Sequence, residues 1–212
     1  MSSPIVVPAG TGGSNFAGVG TVTWSSTGNI AGASDGAFAT TGFFSSGAVT
    51  QSADGFNYNV SIPSGQTVTG IQLDVVAKKF GTTRVVTIDG VQLIINGVVK
   101  TPTTTPVGSA LSTTAGTFTA GSSSDLWGFS PTDLTQATIN NNSEANGPTA
   151  SIWFIGGTGS STAEAMVDSM TLSVYFAPSG GGANQLFSLL GAGCGSMNGL
   201  GTGGPFFPNP IG

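Results

Sequence analysis

Nine carboxylates, three tryptophans and four cations are the side chains of this 212-residue sequence best suited to chemistry, since histidine is absent and cysteine occurs once. Without histidine there is no Ser-His-Asp triad, no Cys-His pair and no imidazole metal ligand, and a lone thiolate cannot build a zinc cluster. Acid-base work would fall to paired carboxylates, as in glycosidases, where two acids face each other across a sugar. Here the acids are scattered. Asp35, Asp54 and Asp89 each precede a glycine and read as turn formers. Asp125 and Asp133 come nearest to a cluster. Calcium prefers oxygen ligands in acidic loops, and no dense loop of that kind is present. The chain therefore reads as a non-enzyme, with no cofactor and no metal expected.

Asp168 stands apart because it shares a predicted strand face with Met166 and Met170. A carboxylate there needs a register break or a partner hydroxyl to satisfy it; the other reading is a buried salt bridge or ligand. The tryptophans offer a second kind of chemistry, stacking against the apolar face of a sugar. Trp153, between Ile152 and Phe154, reads as core. Trp24 and Trp127 lie at element ends beside Gly and Ser, where either a packed corner or an exposed glycan-binding platform fits; packing is the preferred reading.

The cations Lys78, Lys79, Arg84 and Lys100 fall in one short stretch, and the formal net charge is −5. So few cations displace too few counterions to hold a phosphate backbone, so no nucleic acid is expected as a partner. Lys78, Lys79 and Arg84 read as residues that flank a hairpin turn and keep it wet, or that guard a strand edge. No window approaches the roughly 20 apolar residues of a membrane span, so no membrane is expected. The opening residues show no secretory pattern, and Cys194 alone allows no intrachain disulfide, which points to synthesis in a cytoplasm.

These groups must be positioned by strands. From 56 to 100, alternation and turn dipeptides agree. Tyr58, Val60 and Ile62 read as one side of a strand that Pro63 and Gly65 end. Val68 and then Ile71, Leu73, Val75 and Ala77 mark the buried side of a second strand. Residues 85–88 and 91–95, around Asp89 and Gly90, permit either one long strand kinked by a bulge or two short ones. Asn96-Gly97 is the strongest hairpin signal in the chain.

Residues 101–121 read as a long surface connection with one strand near Phe118. Ser130, Pro131, Thr132 and Asp133 predict the start of a short helix that ends before Asn140. Residues 150–155 read as a strand buried on both faces, and residues 165–176 as a central strand. On the latter Met166, Met170, Leu172, Val174 and Phe176 are expected on one face, with Val167, Ser169, Thr171, Ser173 and Tyr175 on the other. The sum is an all-β chain: an antiparallel β-sandwich of jelly-roll type with one short helix and extended N- and C-terminal arms.

Three regions follow. Residues 1–20 read as an N-terminal arm, 21–177 as the sandwich, and 178–212 as a Gly- and Pro-rich C-terminal tail. That tail carries two apolar islands, Leu186, Phe187, Leu189 and Leu190, then Phe206, Phe207 and Ile211. They have too little apolar area to offset their ordering entropy alone, yet are costly to leave in water, so they are expected to bind a partner subunit. The other reading folds them back onto their own domain.

Residues 62–76 (IPSGQTVTGIQLDVV), then VTIDGVQLIINGVV, then residues 125–135 (DLWGFSPTDLT) resemble a domain that recurs in tailed-bacteriophage virion proteins. Residues 23–40, TWSSTGNIAGASDGAFAT, match that domain's usual opening, a Trp, then an Asn, then Asp-Gly before an aromatic. The resemblance covers roughly residues 21–176 and brings no catalytic residues with it. It implies a structural protein of the virion, decorating or cementing the capsid. Its implied partners are the major capsid protein, other virion proteins and further copies of itself as a dimer or trimer. The alternative it leaves open is a tail- or head-fibre module that recognises host surface glycans.

Overall fold

A computed structural model describes residues 4–81 and 83–179. Within them the strands are β1 (Ile5–Pro8), β2 (Thr11–Ser14), β3 (Trp24–Ser25), β4 (Ala39–Thr41), β5 (Ala53–Phe56), β6 (Gln66–Phe80), β7 (Val86–Ile95), β8 (Val98–Lys100), β9 (Gly116–Ser122), β10 (Thr149–Gly156) and β11 (Glu164–Pro178). A single helical turn, α1 (Gln136–Ile139), precedes β10. One sheet runs β3-β4-β11-β6-β9, with β1 also paired to β11; the other runs β2-β5-β10-β7-β8. Every ladder is antiparallel. The two sheets pack together as a β-sandwich.

The core lies where period-two alternation turns one face of each sheet inward. Ile71, Leu73, Val75, Met170, Leu172 and Val174 come from the first sheet, and Val91, Leu93, Ile95, Ala150, Ile152 and Phe154 from the second; all are buried. The Asn96-Gly97 hairpin forms as expected, with both residues at positive φ (50° and 74°) between the paired Ile95 and Val98. β11 is central, held by β6 along one edge and by β4 and β1 along the other.

Bulges decide what alternation alone cannot. Trp153 pairs with Gly90 and Phe154 with Ile88, so Asp89 is the extra residue of one long β7; it is a bulge residue, not a turn former. Tyr175 pairs with Gly70 and Phe176 with Val68, which explains why the buried positions step from Val68 to Ile71. Val167 and Ser169 pair with neighbouring residues of β6, leaving Asp168 as the extra residue of β11. That break reverses the phase of the strand, so Ala165 and Val167 are fully buried before it and Met170 and Leu172 after it. Met166 consequently leaves the face it was expected to share with Met170.

Other expectations are corrected in the same way. Residues 5–14, expected within an N-terminal arm, add β1 to the first sheet and β2 to the second. The backbone pairs available along β11 and β5 outweigh a composition rich in Pro, Gly and Ser. Tyr58, Val60 and Ile62 are buried on one side as read, but Asn57 and Asn59 have positive φ (56° and 50°), so this segment is no strand. Ser130 to Asp133 close a turn in which the Ser130 N–H and hydroxyl both donate to Asp133. The helix begins later, at Gln136, where the Thr135 hydroxyl accepts the Thr138 N–H, and it ends before Asn140 as expected.

Arg84 is also not where a solvated turn residue belongs. It is 5% exposed, and its guanidinium donates to the carbonyls of Gly157, Gly159 and Ser161 in the connection from β10 to β11. Lys79 donates to the Arg84 carbonyl, and the Lys78 ammonium sits 3.9 Å from the centroid of the Phe38 ring. The predicted tail segments, with Leu186, Phe187, Leu189, Leu190, Phe206, Phe207 and Ile211, lie outside the described residues.

Candidate binding surface

Two carboxylates fasten loops, Asp168 and Asp125. Asp168, aimed by its bulge, accepts from the Ser34 hydroxyl and from the Asp35 and Gly36 N–H groups, the partner-hydroxyl arrangement expected of it. Asp125 accepts the N–H groups of Thr103, Thr104 and Trp127 at 2.7, 3.1 and 2.7 Å. Its partner in sequence, Asp133, is spent on Ser130 instead, where those hydrogen bonds hold its carboxyl below the usual range. Among the described residues no group of three or more His, Cys, Asp or Glu could hold a metal ion. Nor is any described helix long and apolar enough to cross a membrane.

Asp54 is no turn former; it lies fully buried within β5, directly opposite Ser151 of β10. Its Oδ2 accepts the Phe16 N–H at 2.8 Å, while its Oδ1 and the Ser151 hydroxyl have no hydrogen-bond partner. Burial pushes the Asp54 carboxyl above its ordinary value of 3.8, and burial together with the Asp54 charge pushes the Tyr58 phenol up. The folded chain thus holds the Asp54 proton more tightly than the unfolded chain. Stability contributed by this group is present below the unfolded value and falls as pH rises through the folded one.

Asp54→Asn keeps an acceptor for Phe16 and brings an amide donor within reach of the Ser151 hydroxyl. The variant is expected to gain on the order of 1 kcal/mol at neutral pH and to lose this part of the pH dependence. Urea titrations across the range from about pH 4 to pH 8 check both points; an unchanged pH profile would show that Asp54 is not the group responsible.

The tryptophans are distributed differently from the expectation. Trp127 is fully buried with its Nε1–H donated to the Ile71 carbonyl at 2.8 Å, and Trp24 is 8% exposed with its Nε1–H on the Gln51 carbonyl at 2.7 Å. Packing wins at both positions, and neither ring can serve as the glycan platform. Trp153, read as core, is the half-buried one. Strand alternation is the signal that placed it: Ile152 and Phe154 are fully buried, so the residue between them points to the opposite face.

Two features hold the Trp153 ring. A Cβ on Gly90 would fall 2.0 Å from Cζ2 and 2.6 Å from Cη2 of the indole, so only glycine lets the ring lie against β7. The Asp89 bulge directs its carboxylate to the indole Nε1–H, with Oδ2 at 3.2 Å. Thr101, Pro102, Thr105 and Val107, from the connection after β8, complete a cleft of about 310 Å³ beside the ring. The arrangement offers one aromatic surface, one carboxylate and two hydroxyls. Among the described residues that line it, Asp89 is the one acid. Comparisons with protein-family models, with curated proteins and with solved structures find no match.

A separate apolar surface is built by Phe43 and Phe80. Each is 59% exposed, and their ring centroids stand 6.3 Å apart. On β8, an edge strand, Val98 and Val99 are about half exposed as well.

Proposed function

We propose that this chain is a structural protein of a tailed-bacteriophage virion, made in the host cytoplasm, that decorates or cements the capsid by packing a preformed sandwich against the major capsid protein or other shell subunits. The observation that carries the reading is the exposed Phe43 and Phe80 pair, two large rings held side by side in water. Large aromatic rings held in water are typical of surfaces that become buried against another protein. The sequence resemblance over residues 21–176 points the same way.

Strand order supports the jelly-roll form of the sandwich: β4-β11-β6-β9 in one sheet and β5-β10-β7-β8 in the other bring the first and last of these eight strands side by side. Copies of the chain would assemble as dimers or trimers at symmetry axes of the shell, where many weak contacts add up.

The test is cosedimentation of the purified full chain with capsids that lack it, followed by imaging of the decorated shells. Saturable binding at fixed capsid positions is expected. A Phe43→Ser, Phe80→Ser double variant, and separately a chain ending at Pro178, should each lower occupancy. Absence of binding by the unaltered chain, or mass located on the tail alone, overturns capsid decoration.

A further inference from the structure

We propose that the Trp153 cleft is a subsite for a neutral saccharide. The inference stands whether or not the chain decorates a shell, because it rests on a different surface and a different chemistry from the Phe43 and Phe80 pair.

The argument begins with the ring. A tryptophan on the outer face of a sheet can normally adopt several rotamers, and a mobile ring loses affinity to the entropy of fixing it. Here the ring is fixed in advance. Gly90 leaves the space that the indole fills, and Asp89 holds the Nε1–H from the side. Both follow from the bulge, which inserts Asp89 into β7 opposite the Trp153 and Phe154 step. The other tryptophans have their N–H groups committed to backbone carbonyls in the interior, so Trp153 is the indole available to a ligand.

The polar groups around the ring define what it would take. Asp89 uses Oδ2 for the indole, and among the described residues no donor reaches its Oδ1. The Thr105 hydroxyl accepts the Val107 N–H and keeps its own proton to donate, and Thr101 is exposed at the same cleft. A flat apolar surface beside a carboxylate acceptor and hydroxyl donors matches a pyranose, which has a C–H face to stack and adjacent hydroxyls to share. The volume of about 310 Å³ is that of a small-molecule site.

Charge narrows the class. Asp89 is the ionisable group lining the cleft and no Lys or Arg lines it, so a uronic or sialic acid would bring its carboxylate against another. A nucleotide is disfavoured for the same reason. A quaternary ammonium ligand could stack on one indole, but recognition of that kind relies on cages of several aromatic rings, and among the described residues Trp153 is the one ring that lines this cleft. Neutral hexoses remain.

The experiment follows the three indole N–H signals of the full chain in ¹⁵N-correlated spectra, assigned with Trp153→Phe. The probes are methyl glycosides of glucose, galactose and mannose with their short oligosaccharides, then glucuronic acid, N-acetylneuraminic acid and tetramethylammonium. At least one neutral saccharide is expected to shift the Trp153 signal saturably, leaving Trp24 and Trp127 in place. Trp153→Phe should weaken that affinity about tenfold, the equivalent of roughly 1.4 kcal/mol, as should Gly90→Ala, which displaces the ring while the indole is retained. Thermal melts of both variants report whether they remain folded.

Asp89→Asn keeps an acceptor for the indole and should raise the response to the acidic sugars relative to the neutral ones. The unaltered chain decides the matter even if a variant fails to fold. No saturable shift of Trp153 with any neutral probe, or a response confined to tetramethylammonium or to the acidic sugars, overturns the proposal.

Discussion

Trp127→Ala is expected to destabilise the domain by about 3–5 kcal/mol, a large part of the roughly 5–15 kcal/mol that holds a typical domain folded. The side chain is fully buried, and its removal leaves both a cavity and an unpaired Ile71 carbonyl where the indole N–H had been. Relaxation cannot readily fill that space. Gly121 lies so close that a Cβ there would stand 2.5 Å from the Trp127 Nε1, so the ring is wedged against β9 as well as hydrogen-bonded to β6. Trp127 also has a positive φ of 57°, a strained conformation for a bulky residue, held by the Asp125 carboxylate on its N–H.

Trp127→Phe retains most of the volume but not the hydrogen bond, and should cost less than the alanine variant. Guanidinium midpoints with unchanged slopes measure both. A loss below about 1 kcal/mol for Trp127→Ala would show that the corner is not a packing centre.

Arg84→Met is the second large effect, at about 3 kcal/mol. Arg84 fills its place with three donors on the carbonyls of Gly157, Gly159 and Ser161, and no carboxylate is among these partners. Methionine keeps much of the aliphatic stem and removes every one of those donors. The β10 to β11 connection then has to satisfy its carbonyls with water, and it should open before the rest of the domain.

Hydrogen exchange separates this from a uniform loss of stability: faster exchange concentrated at residues 157–163 is expected. Arg84→Lys should recover little, because one ammonium cannot reach three carbonyls set in a fork. Equal protection in the variant and the parent would mean that the guanidinium is not what pins the connection.

Several elements could be read directly from residue order because local physics fixes them. Asn96-Gly97 needs positive φ at both positions and flanks apolar alternation, so the hairpin was legible. The buried side of β6 from Ile71 to Ala77 was legible for the same reason, and the central place of β11 followed from its long apolar pattern. Residues 5–14 were not legible: Pro, Gly and Ser gave no strand signal, and pairing to β11 and β5 made them strands. The roles of Asp54, Asp89 and Arg84 were missed alike, since each is defined by groups far away in the chain.

The Trp153 cleft shows where the division lies. Period-two alternation is a property of the chain itself, and it determined an all-β sandwich and which side of most strands faces inward. Residue order also determined that this sequence by itself cannot build a Ser-His-Asp triad, a Cys-His pair or a thiolate zinc cluster. Only the tertiary structure decided which tryptophan meets solvent, which glycine it rests on and which carboxylate holds it. Those relations join β7, β10 and the connection after β8 through a one-residue bulge, and such a register shift depends on the partner strand as much as on the strand that contains it.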